Sequence, residues 1–206
     1  MNRSLLLLLI VITLIGAGLW FFFLRNGPVE KIAKEGPVIF FGNSLTVGVG
    51  AGKGQNFPTL IAAELNLTNV INAGIPGDTT KTALNRLQRD VLDADPSIVV
   101  VELSGNDFLR RVPRDKTINN LDSIVRQIRK IGSRVVLIHI KLPRNNGDYE
   151  KGFQEIAKKY DAALVRNVLG GVIGNPSLMA DNIHPNAAGY KIMAEKIAKV
   201  IKPLIK

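Results

Sequence analysis

The sequence contains no cysteine and only two histidines, His139 and His184, among its 206 residues. The absence of cysteine excludes disulfides, thiolate zinc sites and redox chemistry on sulfur. The scarcity of histidine narrows the search for a general base, because a serine hydroxyl needs an adjacent base such as an imidazole to attack at neutral pH. A serine–histidine mechanism would therefore use one of these two side chains.

Charge is absent from one long stretch near the start of the chain. Residues 5–24 carry no charged side chain, and twenty residues in a helix span roughly 30 Å, the hydrocarbon thickness of a bilayer. The apolar core of a secretory signal peptide is usually shorter, about 7 to 15 residues. We therefore predict a hydrophobic helix that anchors the chain in a membrane within residues 1–27, followed by a linker over residues 28–36. A cleaved signal segment is the alternative.

Positive charge exceeds negative charge, with 27 lysines and arginines against 17 aspartates and glutamates and a formal net charge of +10. The basic residues are scattered along the chain without aromatic interleaving, so nucleic acid is not predicted as a partner. A basic domain beside an anchor is instead expected to be drawn to anionic lipid head groups. The charges that flank residues 5–24 leave the orientation of the span open.

Apolar runs alternate with amphipathic helical patterns from residue 37 onward. Short apolar runs predict strands at residues 37–41, 69–72, 97–103, 134–140 and 163–165. Apolar residues at helical spacing predict helices at residues 57–65, 80–91, 118–131, 149–160 and 186–201. This alternation predicts one α/β domain over residues 37–206, a three-layer sandwich whose central parallel sheet is covered by helices on both faces.

Four short polar motifs follow predicted strands or precede the last helix. They are Gly42-Asn43-Ser44-Leu45, Gly77-Asp78-Thr79, Gly105-Asn106-Asp107 and Asp181-Asn182-Ile183-His184. Open α/β sheets bind their ligands at the carboxyl edge of the parallel strands, where the connecting loops separate. A serine at that edge can expose its hydroxyl while its backbone stays rigid, which is what a nucleophile requires.

The order and spacing of these motifs resemble the SGNH hydrolases, the GDSL esterase and lipase superfamily. The bacterial thioesterase/lysophospholipase and arylesterase members are most similar, since they share the strings Asn-Ala-x-Ile-x-Gly-Asp-Thr and Glu-Leu-x-Gly-Asn-Asp. The resemblance implies a flavodoxin-like fold with Ser44 as nucleophile, His184 as general base and Asp181 orienting the imidazole. It also implies an oxyanion hole formed by the backbone N–H groups of Ser44 and Gly77 and the side-chain amide of Asn106. No metal or organic cofactor is implied.

Several polar residues outside the implied triad need an interpretation. Asn43 stands where the family usually has aspartate; its oxygen can still accept backbone hydrogen bonds, so we expect the turn to stay intact and the chemistry to survive. His139 lies within an apolar strand and is predicted to be a buried core residue. Asp78 and Asp107 are predicted to organise their loops, and Glu102 is predicted to be structural.

The glycine-rich segment Val47–Gly54 does not match a phosphate-binding loop. That pattern requires Ser or Thr after its lysine and a glycine five positions before its Gly-Lys pair, whereas Gly54 follows Lys53 and Val47 stands at the earlier position. We predict a mobile lip beside the site instead.

These observations predict a serine esterase that hydrolyses carboxylic esters or thioesters through an acyl-enzyme, as lysophospholipases, arylesterases and acyl thioesterases do. The predicted anchor and the basic charge favour lipid-derived acyl groups. One alternative is a deacetylase or O-acetyltransferase acting on cell-envelope polysaccharide, and another is an α/β binding module without catalysis. The resemblance favours a catalytic domain outside the cytoplasm, periplasmic or extracellular, with secretion after signal cleavage as the alternative.

Overall fold

The centre of the fold is a parallel sheet. In the part of the chain that the computed structural model describes, residues 34–141 and 146–205, five parallel strands pair in the order β2-β1-β3-β4-β5. The strands are β1 (Val38–Gly42), β2 (Val70–Gly74), β3 (Ile98–Glu102), β4 (Arg134–Ile138) and β5 (Ala163–Val165). This strand order confirms the flavodoxin-like topology predicted from the sequence.

Seven α-helices connect or follow these strands in the described residues. They are α1 (Ser44–Val47), α2 (Phe57–Glu64), α3 (Thr80–Asp90), α4 (Gly105–Leu109), α5 (Arg114–Lys130), α6 (Asn146–Tyr160) and α7 (Ala187–Ile201). Short 3-10 helices lie at Leu92–Ala94, Pro176–Leu178 and Lys202–Leu204. The helices between the strands are long enough to serve as the crossover connections that parallel pairing requires.

The helices cover both faces of the sheet. On one face, α2 and α7 pack against strand residues such as Phe40 and Val100. On the other face, α3, α5 and α6 pack against residues such as Ile39 and Val101. Because successive side chains of a strand point to opposite faces, a strand covered on both sides needs apolar residues at every position. The predicted three-layer α/β/α sandwich is therefore confirmed.

The structure differs from the sequence-based prediction in its shortest elements. Helices α1 and α4 were not predicted, because four or five residues are too few to display a helical period. Strand β2 is partly exposed along its length, which is explained by its position at the edge of the sheet with β1 as its neighbour. The apolar run at residues 69–72 therefore predicts a strand that ends too early, because β2 continues to Gly74.

The predicted anchor or signal segment at residues 1–27 lies outside the described residues, as does most of the predicted linker. Among residues 34–141 and 146–205, no helix is long and apolar enough to cross a bilayer. The anchor, the linker and the domain boundary at residue 37 therefore stay predictions.

Candidate active site

Strand β1 brings Ser44 to the carboxyl edge of the sheet. Asn43 caps helix α1, because its side-chain oxygen accepts a hydrogen bond from the Leu45 N–H at 3.0 Å. At Gly42 the chain passes so close to α1 and β3 that an added Cβ would lie 2.5 Å from the Glu102 carbonyl oxygen of β3 and closer still to the Thr46 Oγ1 of α1. Glycine is therefore required at residue 42 for the tight turn that presents the serine.

The side chains of Ser44, His184 and Asp181 meet in one line of hydrogen bonds. The Ser44 Oγ lies 3.0 Å from the His184 Nε2, and the His184 Nδ1 lies 2.7 Å from the Asp181 Oδ2. An ionised carboxylate can only accept, so the Nδ1 carries the hydrogen and the Nε2 is free to accept from the serine hydroxyl. The three side chains named from the sequence motifs are thus within hydrogen-bonding distance, in the order Ser44, His184 and Asp181 that a nucleophile, a base and an orienting carboxylate would require.

A tight loop holds Asp181 and His184 together. The Asp181 Oδ1 accepts the N–H groups of Ile183 at 2.8 Å and His184 at 2.7 Å, and the Ala180 N–H donates to the His184 carbonyl at 2.9 Å. The imidazole of His184 and these two N–H groups lower the pKa of Asp181 to about 2. The carboxylate is therefore ionised at neutral pH, although 52% of its side chain is exposed.

The glycine-rich segment lies against the back of this loop. Gly50 has a φ of +96°, and a Cβ added there would lie 2.6 Å from the Pro185 carbonyl oxygen and 3.2 Å from the His184 Cβ. The Tyr190 hydroxyl donates to the Val49 carbonyl at 2.8 Å and fixes the segment to helix α7. The predicted position beside the site is confirmed, and the absence of a side chain at Gly50 is what permits the contact.

The three predicted oxyanion donors follow three different strands: Ser44 begins α1 after β1, Gly77 lies in the loop after β2, and Asn106 lies in α4 after β3. The Asn106 Nδ2 donates one hydrogen to the Asp78 carbonyl at 2.9 Å, which leaves the second amide hydrogen available. Among the described residues, the N–H groups of Ser44 and Gly77 donate to no protein acceptor. Ser44 and Asn106 line the same pocket as His184, whereas Gly77 lies in the adjoining loop.

Arg86 joins the loop that carries Gly77 to the end of β1, and the sequence interpretation missed it. Its guanidinium donates to the Asp78 carboxylate at 2.6 Å, to the Asp90 carboxylate at 2.9 Å and to the Gly42 carbonyl at 3.0 Å. The same group lies 4.4 Å from the centroid of the Phe41 ring. One signal could have revealed it: Arg86 falls on the apolar stripe of α3, where a buried charge needs partners.

Two carboxylates organise loops at the same edge, as predicted. Asp78 is bonded to Arg86, while Asp107 accepts the Thr80 N–H at 2.8 Å and the Thr80 hydroxyl at 2.6 Å. Asp107 thereby supplies an acceptor at the amino end of α3, where the backbone N–H groups lack helical partners. The loops after β2 and β3 are fixed to each other by these bonds.

Glu102 and His139 are both buried. The Glu102 carboxylate is fully buried and accepts from the Asn43 amide at 3.2 Å and the Thr46 hydroxyl at 3.1 Å. Burial raises the pKa of Glu102 to about 7. The His139 ring is 1% exposed and packs edge-to-face against Phe153, with 5.2 Å between ring centroids. The predictions that Glu102 is structural and His139 belongs to the core are confirmed.

The pocket beside Ser44 has a largely apolar wall. Its apolar lining residues are Leu45, Leu109, Ile140, Leu169, Ile173 and Ile183. Leu109 and Ile183 are exposed at its mouth. Because of this lining, the pocket can receive an apolar substituent next to the serine hydroxyl.

Within the described part of the chain, no group of three or more histidine and carboxylate side chains is placed to bind a metal ion.

A flavodoxin-like sheet with polar groups gathered at its carboxyl edge places the protein among the three-layer α/β enzymes. The model of the GDSL-like lipase/acylhydrolase family matches residues 40–192. The chain therefore belongs to that family, which confirms the resemblance seen in its motifs, and it is an ester hydrolase.

Characterised bacterial proteins are similar over most of the chain. The esterase TesA of Pseudomonas aeruginosa is 32% identical over 178 residues, which cover 82% of this chain and 89% of the relative. The Escherichia coli K12 protein named thioesterase 1/protease 1/lysophospholipase L1 is 31% identical, over 85% of this chain and 88% of the relative. A crystal structure of TesA superposes with a TM-score of 0.77 at 31% identity and covers 82% of this chain and 99% of the solved chain.

Proposed function

We propose that the protein is a serine esterase that hydrolyses carboxylic esters or thioesters through an acyl-enzyme on Ser44. The observation that carries the proposal is the continuous contact from the Ser44 Oγ to the His184 Nε2, at 3.0 Å, and from the His184 Nδ1 to the Asp181 carboxylate, at 2.7 Å. A serine hydroxyl bonded to an imidazole with a free acceptor nitrogen is activated for attack on a carbonyl carbon.

In the first half of the reaction, the Ser44 Oγ bonds to the substrate carbonyl carbon while the His184 Nε2 takes the hydroxyl proton. The carbonyl oxygen becomes an oxyanion and accepts hydrogen bonds from the N–H groups of Ser44 and Gly77 and from the free amide hydrogen of Asn106. The tetrahedral intermediate then collapses, and the imidazolium gives its proton to the leaving alcohol or thiol. In the second half, His184 takes a proton from water while the water oxygen bonds to the acyl carbon. The second tetrahedral intermediate collapses, the imidazolium returns its proton to the Ser44 Oγ, and the carboxylic acid leaves.

Asp181 supports both halves of the reaction through His184. Its carboxylate fixes the tautomer that leaves the Nε2 unprotonated, and its negative charge stabilises the imidazolium formed after each proton transfer. Because the pKa of Asp181 is about 2, the carboxylate keeps its charge throughout the pH range in which an imidazole can act as a base.

Two observations support the proposed substrate class, namely the lining of the pocket and the names of the relatives. The wall beside Ser44 is lined by side chains such as Leu45, Ile140 and Leu169, and burial of an apolar acyl group there is favourable by about 0.8 kcal/mol for each methylene. The names of the relatives include thioesterase and lysophospholipase. We therefore propose lipid-derived acyl esters and thioesters as the main substrates. In this proposal, residues 5–24 hold the catalytic domain at a membrane, on the side outside the cytoplasm, where such lipids are present.

The test is to replace the proposed nucleophile and base separately. We expect Ser44→Ala and His184→Ala to lower kcat for p-nitrophenyl butyrate by at least about a thousandfold, since the members of a triad act as a unit. Both variants should keep the far-ultraviolet circular dichroism of the parent. Ser123→Ala, which removes a half-buried serine hydroxyl on α5, is the matched control and should keep full activity. Undiminished turnover by purified Ser44→Ala would exclude the proposal.

A substrate panel then separates the acyl classes. Comparing long-chain acyl esters and thioesters with an acetylated glycan should show higher kcat/KM for the long-chain substrates, because apolar residues line the pocket. Higher kcat/KM for the glycan would instead identify a polysaccharide deacetylase that uses the same site.

A further inference from the structure

Glu102 contacts both ends of the turn that carries Ser44. It is the last residue of β3 and is fully buried. One carboxylate oxygen accepts from the Asn43 amide at 3.2 Å, and the other accepts from the Thr46 hydroxyl at 3.1 Å. Asn43 precedes the serine and Thr46 follows it by two residues, so a single side chain holds the turn from both sides.

The amide of Asn43 satisfies two different requirements at once. Its oxygen accepts the Leu45 N–H at 3.0 Å and caps α1, while its nitrogen donates to Glu102. An ionised aspartate at residue 43 could still cap the helix, because a carboxylate oxygen accepts a backbone N–H. Its second oxygen would face the Glu102 carboxylate with no hydrogen between them, since an ionised carboxylate has acceptors only.

We propose that Asn43 and Glu102 form a matched amide–carboxylate pair that positions Ser44, and that aspartate at residue 43 is compatible with this turn only when the pair gains a proton. The catalytic part of the inference rests on the proposed function of Ser44. Glu102 acts through Asn43 and Thr46 and does not reach the substrate, so it is a positioning residue.

The surroundings of Glu102 give it little means to neutralise a second negative charge. The neutral side chains of Asn43 and Thr46 donate to it from the turn. The phenol of Tyr190 on α7, which donates to the Val49 carbonyl, is a neutral group whose pKa is raised by burial and by the charges of Glu102 and Asp181. Gly42 brings the backbone of β1 against the same carboxylate, where an added Cβ would lie 3.0 Å from the Glu102 Oε2. Two carboxylates in so closely packed a space cannot both be ionised without disturbing the turn.

The pair is tested by adding a carboxylate at residue 43 and then removing the one at residue 102. At about pH 8, we expect Asn43→Asp to lower kcat for p-nitrophenyl butyrate by at least about tenfold, with KM changed by less than about twofold. The ratio of variant to parent rate should rise as the pH falls, because protonation of the pair restores the missing hydrogen. Adding Glu102→Gln should recover most of the rate, because a glutamine can donate to the aspartate and still accept from Thr46.

Asn56→Asp is the matched control. Asn56 caps α2 with its side-chain oxygen, which accepts the Thr59 N–H at 2.9 Å, and in the described residues its amide donates to no carboxylate. The same chemical change there should leave kcat and its pH profile as in the parent.

Thermal unfolding in a Ser44→Ala background tests the pair without using activity. Asn43→Asp should lower Tm by about 5 °C at about pH 8, and Glu102→Gln should restore it. Restoration of Tm in a protein whose parent hydrolyses no ester would sustain the pair and reject the proposed function. If the parent is active and Asn43→Asp keeps the kcat and the pH profile of the parent, the inference is wrong. It is also wrong if Asn43→Asp lowers Tm but leaves kcat unchanged when kcat is calculated per active site, with the active sites counted by fluorophosphonate titration. If Asn43→Asp alone does not fold, folding and activity of the double variant support the pair, and failure of the double variant to fold refutes it.

Discussion

The turn that carries Ser44 and the loop that carries His184 face the same pocket but are supported in opposite ways. The serine turn is held by buried side chains distant in sequence: Glu102 bonds to Asn43 across 59 positions, and Arg86 bonds to the Gly42 carbonyl across 44 positions. The histidine loop is held mainly by its own neighbours, since Asp181 bonds to groups two and three positions away. Changes on the serine side should therefore affect both stability and rate, whereas changes on the histidine side should affect rate alone.

The largest expected effect on rate comes from the histidine side. Asp181→Asn keeps an oxygen for the two backbone N–H groups but places an amide opposite the His184 Nδ1, which favours the wrong tautomer. We expect kcat to fall by about ten-thousandfold, as for another triad whose carboxylate is converted to an amide, with little change in the free energy of unfolding because the ion pair of this exposed carboxylate is screened by solvent. Asp122→Asn, at a carboxylate bonded to Lys159 and Tyr160, is the control for the chemical change. A drop in Tm together with kcat would show that this loop also supports the fold.

The next effect tests the serine side. Arg86→Met removes the guanidinium that joins Gly42 to Asp78 and leaves a buried carboxylate without its partner. We expect a loss of about 3 kcal/mol in the free energy of unfolding, measured with urea. We also expect a fall in kcat of about a hundredfold, because the loop that carries Gly77, a proposed oxyanion donor, shifts. Arg89→Met removes an arginine that is 75% exposed and also bonds to Asp90. It should change neither quantity, and equal effects of the two substitutions would contradict the role given to Arg86.

A smaller effect is expected where the glycine-rich segment meets the histidine loop. Gly50→Ala introduces a Cβ that collides with the Pro185 carbonyl, so His184 must move away from the serine. Kinetics should show a loss of about tenfold in kcat, within the range expected when a catalytic group is slightly misplaced. Gly54→Ala has a similar positive φ, of +81°, but no atom within 4 Å of the added Cβ. If both variants lose activity equally, backbone strain and not the contact with the histidine loop is responsible.

The last prediction concerns the pH dependence of stability and not the rate. The pKa of Glu102 is raised to about 7 in the folded protein, so the folded state binds more protons than the unfolded state between about pH 4.5 and pH 7. Stability should therefore fall as the pH rises through this window, by up to about 3 kcal/mol relative to Glu102→Gln. The free energy of unfolding of the parent and of Glu102→Gln can be measured with urea between about pH 5 and pH 8. If both change with pH in the same way, Glu102 does not titrate in this range.

The apolar pattern of the sequence was sufficient to predict the sheet, whereas the meeting of Ser44 with His184 was implied by the resemblance of the motifs to the SGNH hydrolases. Continuous apolar runs identify strands covered on both faces, and the carboxyl ends of parallel strands necessarily meet at one edge, so polar motifs at those ends converge. The supports of the site could not be predicted in the same way. Arg86 and Glu102 act through contacts with residues far away in the sequence, and neither residue type nor spacing specifies which carbonyl or amide a buried charge will meet.

The position of the histidine loop along the chain has a consequence for biosynthesis. Residues Asp181–His184 come immediately before α7, which packs on the face of the sheet formed by much earlier segments. During synthesis from the amino end, the serine hydroxyl and its supporting carboxylate emerge long before the imidazole does. Under the proposed mechanism, a nascent chain cannot attack an ester until the histidine loop has joined the serine turn, so the hydrolytic activity begins only after this late-synthesised segment has docked.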